Sequence, residues 1–209
     1  MTTPSTSRPN PIPANERHKY PGELKSRIEA MISGQLDHPS IQKQLDTGAS
    51  QVVLDVEAAK RVQWALMFSQ LCMARMCIGF LGYKLDGTNV TSKNDRDWGY
   101  RQSSGDWTKK EAEDIRVEDV CGQAPPTTLS GHEAQIAECL LLAHKVVHLS
   151  HHEPHDQEGE VVQTGKVNAA IPLVIKLLQK WVYKPLGQRV PLPDEYREIM
   201  DKALPGWEA

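Results

Sequence analysis

The chain has 209 residues, with 24 Lys and Arg against 27 Asp and Glu, giving a formal net charge of −3. That balance excludes the strongly basic footprint of a protein built to coat nucleic acid. A hydrophobic fraction of 39% is enough for a core without staples, although aromatics are sparse at 6%.

Residues 1–21 hold Pro4, Pro9, Pro11, Pro13 and Pro21 among Ser, Thr and Asn. Such a composition favours an extended arm over a packed element. It contains no apolar run of the kind a secretory signal needs, so a cytoplasmic or intracellular setting is expected, with a virus particle as the alternative. A helical domain is expected over 22–187, followed by a tail over 188–209 with one short helix from about Pro193.

From Gly22, Leu24, Ile28 and Met31/Ile32 recur at helical spacing, and Gly34 reads as a stop. A short segment follows from Ser40 to Leu45. The longest helical pattern runs from about Ser50 to Tyr83. Beyond Val62 it is apolar on most sides, which places it at the centre of a bundle. Val62 to Gly82 is long enough to span a bilayer, but Gln63, Ser69, Gln70 and Arg75 interrupt it, so no membrane span is expected.

Residues 84–107 are rich in Gly, Asn, Asp and Ser and read as a long loop or a hairpin around Asp86-Gly87 or Gly105-Asp106. Trp98, Tyr100 and Trp107 stand there in polar company. They either fold back over the core or anchor a partner. Lys84, Lys93, Arg96, Arg101, Lys109 and Lys110 interleave with those aromatics, as in single-strand binders. Asp86, Asp95, Asp97 and Asp106 weaken that reading.

Thr108 with Glu111, and Ser130 with Glu133, have the spacing of capping boxes, predicting a short acidic helix to about Val120 and a longer one from Ser130 to about His152. Pro154 forces that second helix to end. A further helix is expected over Asn168–Tyr183, opened or kinked by Pro172.

Five of the eight histidines fall between Leu142 and Glu160. His144, His148 and His152 would share one helical stripe. The pair His148/His152 has the i, i+4 geometry that lets two imidazoles reach one divalent ion such as zinc. No glutamate follows His148 directly, so the hydrolytic zinc motif is missing, and a structural helix terminus is the favoured reading. Cys72, Cys77, Cys121 and Cys139 form no CxxC pair and read as reduced, largely buried thiols, with no cofactor implied.

The expected fold is therefore all-α: an irregular bundle of about five to seven helices around the 50–83 helix, with an extended N-terminal arm. The expected function is a non-enzymatic structural or adaptor subunit of a homo- or hetero-oligomeric protein assembly, such as a virus or phage particle. One alternative is a metal-dependent hydrolase using the His144–His155 corner or the Glu111–Asp119 acids. Another is a nucleic-acid-binding module using residues 84–110.

Overall fold

A computed structural model describes residues 14–47, 56–93, 100–103, 106–109, 115–129, 131–148 and 164–208. The described chain is mainly helical. Its elements run in the order of a 3-10 helix (Ala14–Lys19), α1 (Tyr20–Thr47), α2 (Val56–Phe80), β1 (Tyr83–Asp86), β2 (Asn89–Ser92), β3 (Tyr100–Ser103), β4 (Asp106–Lys109), α3 (Val117–Cys121), α4 (Glu133–His148), α5 (Thr164–Leu178) and α6 (Asp194–Ala203). Of the 21 residues read as an extended arm, Ala14–Pro21 are helical, and residues 1–13 lie outside the described residues.

α1 continues through Gly34 and Pro39, where the sequence predicts a stop and a separate short segment. The cause is tertiary. Leu36 packs against the core and Gln35 accepts a hydrogen bond from the Tyr196 hydroxyl, so the segment past Gly34 is held in place by a distant helix. Earlier in α1, Leu24, Ile28, Met31 and Ile32 are buried, which is the i, i+4, i+7, i+8 face expected of an amphipathic helix.

α2 ends at Phe80 rather than Tyr83 because Gly82 takes the left-handed region (φ 91°) and turns the chain into a strand. β1 and β2 form an antiparallel hairpin with Asp86 opposite Asn89, and Gly87 (φ 60°) supplies the positive φ its tight turn needs. The Lys93 N–H donates to the Gly82 carbonyl at 2.6 Å, fastening the far end of the hairpin to the end of α2. β3 and β4 form a second antiparallel hairpin, with Ser103 opposite Asp106. The 84–107 stretch is thus partly strand within a mainly helical chain, which fits the all-α expectation in outline.

Thr108 lies in β4, opposite Arg101, so it does not cap a helix. α3 starts only at Val117, where the buried Asp119 carboxylate accepts the Arg116 N–H at 3.0 Å. α4 begins at Glu133 itself, three residues after the expected cap Ser130, which lies outside the described residues; the Glu133 carboxylate accepts the Gly131 N–H at 2.8 Å.

α2 packs against α1, α4 and α5, and α4 packs against α5. The helix enclosed on nearly every side is α5, not α2. Ala170, Ile171, Leu173, Val174, Ile175 and Leu178 are all buried, and Pro172 sits inside the helix rather than opening it. α5 then widens into a π turn (Gln179–Tyr183), in which the Lys184 N–H reaches back to the Gln179 carbonyl at 2.8 Å.

Beyond the π turn, the chain folds into a closed corner. The buried Gln179 side chain accepts the Val190 N–H at 2.8 Å, and the Tyr183 hydroxyl donates to the Pro21 carbonyl at 3.0 Å. Tyr196 and Met200 of α6 are fully buried. The Trp207 indole N–H donates to Asp201 at 2.9 Å while its ring is buried. Glu208 pairs with Arg197 at 2.6 Å and with Arg189 at 3.3 Å, closing the rim.

Candidate functional site on the outward face of α2

α2 is two-sided. Met67, Gln70, Leu71, Ala74, Cys77 and Ile78 are buried, and the Gln70 amide donates to the Met31 carbonyl of α1 at 3.0 Å. On the opposite side, Arg61, Ala65, Phe68, Cys72 and Met76 follow one another at spacings of three and four. These positions form one stripe along the helix, with Arg75 beside it. Phe68 remains 40% exposed and Met76 49% exposed, the two exposed large hydrophobics among the described residues.

At the C-terminal end of the stripe, Met76 opens into a cleft of about 790 Å³ between α1, α2, the first hairpin and α4. Its apolar lining comes from Leu24, Phe80, Tyr83, Leu85, Ile115 and Leu140. Its cations come from separate elements: Arg27 on α1, Arg75 on α2, Lys84 on β1, and Lys93 just after β2. Glu23 is the single carboxylate among the described lining residues, and His144 of α4 adds to the wall. Arg27 donates to the Glu23 main-chain carbonyl at 2.9 Å, which fixes its guanidinium along α1. The Lys93 ammonium lies over Gly79, at 3.5 Å from where a Cβ would stand, so the missing side chain lets the amine lie close against α2.

Burial holds Cys77, Cys121 and Cys139 in the protonated form. Burial pushes Cys77 and Cys139 up to about 12, opposed at Cys77 by the Arg27 charge. Burial likewise raises Cys121 to about 11. Its Sγ lies 3.6 Å from the Val182 carbonyl. These groups are poor nucleophiles, in keeping with the reading of reduced, largely buried cysteines. All four cysteines are free.

Several of the residues singled out by sequence lie outside the described residues. His144 is exposed and lines the cleft; His148 ends α4; His152 lies outside the described residues. Among the described residues no group of three or more His, Cys, Asp or Glu is placed to hold a metal ion. Of the acids at 111–119, Glu111, Glu113 and Asp114 lie outside the described residues. Glu118 pairs with the Arg116 guanidinium at 3.0 Å, and Asp119 caps α3, so both have local structural partners. Tyr100 belongs to β3 and Trp107 to β4, and Trp98 lies outside the described residues. No helix among the described residues is long and apolar enough to cross a membrane.

Sequence reasoning placed Arg75 only as an obstacle to a membrane span and missed Arg27. For Arg75 the available signal was a charged residue within the apolar run from Val62 to Gly82, which marks the side that faces water or a ligand. Comparison of the chain with protein-family models, curated proteins and solved structures found no match. The fold and site define a mainly helical protein whose second helix leaves an apolar stripe uncovered above a basic-rimmed cleft.

Proposed function

We propose that this chain is a non-enzymatic structural or adaptor subunit that receives an amphipathic helical segment of a partner protein along the outward face of α2. The observation that supports this reading is the Ala65–Phe68–Cys72–Met76 stripe, with Phe68 and Met76 exposed to 40% and 49%. An aromatic and a methionine on one helical face suit helix-in-groove recognition, in which a few large apolar side chains carry most of the affinity.

Charge selects the kind of partner. Arg61 and Arg75 stand seven positions on either side of Phe68. A two-fold antiparallel pairing centred on Phe68 would set Arg61 against Arg75 of the other copy. Like charges meeting across an interface disfavour that arrangement. A partner helix with an apolar stripe and acidic flanks satisfies both ends.

The test uses the full chain and two synthetic helical peptides with the same leucine stripe, one flanked by glutamates and one by lysines. Fluorescence anisotropy is expected to show the glutamate peptide binding about tenfold or more tightly, a difference of about 1.4 kcal/mol. Phe68→Asp is expected to remove that binding without changing the helical circular dichroism. Equal affinity for both peptides, or unchanged affinity in Phe68→Asp, would refute the reading. Sedimentation of the chain alone supplies a further check, because self-association lost on Phe68→Asp would identify a second copy as the occupant instead.

A further inference from the structure

The α2 stripe does not stop at Met76. That side chain is exposed and also lines the cleft of about 790 Å³, so stripe and cleft form one continuous surface. From Phe68 to Met76 the helix rises about 12 Å, at about 1.5 Å per residue. One turn further α2 ends at Phe80, and Gly82 (φ 91°) turns the chain into β1. A helix lying along the stripe therefore runs off the end of α2 above the cleft, where the surface drops between α1, the first hairpin and α4.

We infer that the partner helix carries a large aromatic side chain at the end that overhangs the cleft, and that this side chain seats in it. The inference rests on the reading of the α2 face as a helix-docking surface. The lining suits an aromatic body: Leu24, Phe80, Leu85 and Leu140 supply apolar contacts from four separate elements. Phe80 offers a ring for offset or edge-to-face stacking, and the Met76 thioether is a favourable neighbour for an aromatic edge. Arg27 and Arg75 add guanidinium planes. Such a plane stacks on a ring while its N–H edge is bonded elsewhere, as that of Arg27 is to the Glu23 carbonyl.

Continuity decides between occupants. A free small molecule in the cleft would cover its lining and leave Phe68 against water. A helix with only leucines would cover Phe68 and Met76 but leave most of the cleft open, although its volume matches sites that enclose whole ligands, roughly 300–1,000 Å³. Space left at an interface forfeits dispersion contacts on both sides. A helix ending in an aromatic residue covers the stripe and occupies the cleft in one event, and large rings are the side chains on which interface energy concentrates. The acidic flank of the partner falls at the same end, beside Arg75.

Fluorescence anisotropy on the full chain tests the inference with glutamate-flanked, leucine-striped helical peptides that differ at one terminal position of the stripe. That position is tryptophan, leucine or alanine, placed at either end. The unaltered chain is expected to bind one tryptophan peptide about tenfold or more tightly than its alanine counterpart, with leucine between them. The end at which this holds gives the direction of the partner helix. On the chain, Leu85→Ala should remove most of the tryptophan preference while keeping the alanine peptide within about twofold, and Phe80→Ala should do the same. Thermal unfolding of each variant shows whether the fold persists, and the peptide series on the unaltered chain stands without them. If the leucine peptide binds and depends on Phe68, yet tryptophan and alanine peptides bind equally at both ends, this inference fails and the docking reading stands. If no peptide binds, both fail. An unchanged tryptophan preference in the folded variants would overturn the cleft as its seat. N-acetyltryptophanamide binding as tightly as the whole peptide would overturn a helix-borne occupant in favour of a free small molecule.

Discussion

The two ends of this molecule handle polar groups in opposite ways. At the C-terminal corner, buried polar groups meet partners supplied by the chain itself: Gln179 with Val190, Tyr183 with Pro21, Tyr196 with Gln35, and Trp207 with Asp201. On the outward face of α2, Phe68 and Met76 stay exposed beside a cleft lined by Arg27, Arg75, Lys84 and Lys93. A buried polar group that has found its partner rigidifies a structure. Large apolar side chains left exposed do the reverse, leaving area that something outside the chain could cover. The corner closes on itself, whereas the α2 face leaves Phe68 and Met76 exposed.

The largest effect that would break this comparison lies at the corner. Trp207→Ala removes a buried ring together with the bond to Asp201 and is expected to cost about 3–5 kcal/mol, read from urea unfolding. A loss below about 1 kcal/mol, the size of an ordinary surface change, would show that the corner is not a stabilising unit.

Next comes alkaline pH. Cys77 and Cys139 are raised to about 12 from an ordinary value of 9.0, and Tyr83 to about 12 from 10.0. Burial also raises Tyr183 and Tyr196 at the corner. The folded chain therefore holds protons that the unfolded chain releases, so stability is full below pH 9 and declines as pH climbs toward 12. Within that window each such thiol removes up to about 1.4 kcal/mol per pH unit. Unfolding midpoints measured at pH 8 and pH 10.5 should fall; a constant midpoint would contradict the burial of these groups.

Gln179→Ala should cost about 1–3 kcal/mol by orphaning the Val190 N–H, read from the thermal midpoint. The smallest effect sharpens the contrast: Arg75→Glu is expected to change stability by no more than about 0.5 kcal/mol, since it alters a part-exposed cation on the outward face of α2. A large loss there would make the α2 face a structural element as well.

Much of the helical content was legible in the sequence. Leu24, Ile28 and Met31 spell one face of α1, and Ile136, Leu140 and Ala143 spell one face of α4. Pro193 followed by Asp194 and Glu195 marked the start of α6, where the helix begins. The hairpin turn at Asp86-Gly87 was legible because few residues other than glycine accept a positive φ. The capping box at Thr108 misled because an S/T-x-x-E spacing needs only four residues, and strand pairing with Arg101 outweighs it.

The candidate site was scarcely legible. Lys84 and Lys93 stood out only as members of a basic run, and Arg27 not at all. Nothing in a linear pattern brings Arg27 beside Lys93. That juxtaposition depends on how α1 and the hairpin both lean on α2. The histidine run drew attention for its density; of its candidate metal ligands, His144 lines the cleft and His152 lies outside the described residues.

By itself, the sequence determined where most helices run, that the cysteines carry no paired motif, and that the net charge is near balance, because periodicity, capping and composition act over a few residues at a time. Only the tertiary structure decided that α1 passes through Gly34, that α5 rather than α2 is the enclosed helix, and that four cations meet above an apolar lining. α2 and α5 are both apolar enough to be buried. Which of them is covered depends on the packing of α1, α4 and the closed C-terminal corner, and such long-range contacts leave no local mark in the chain.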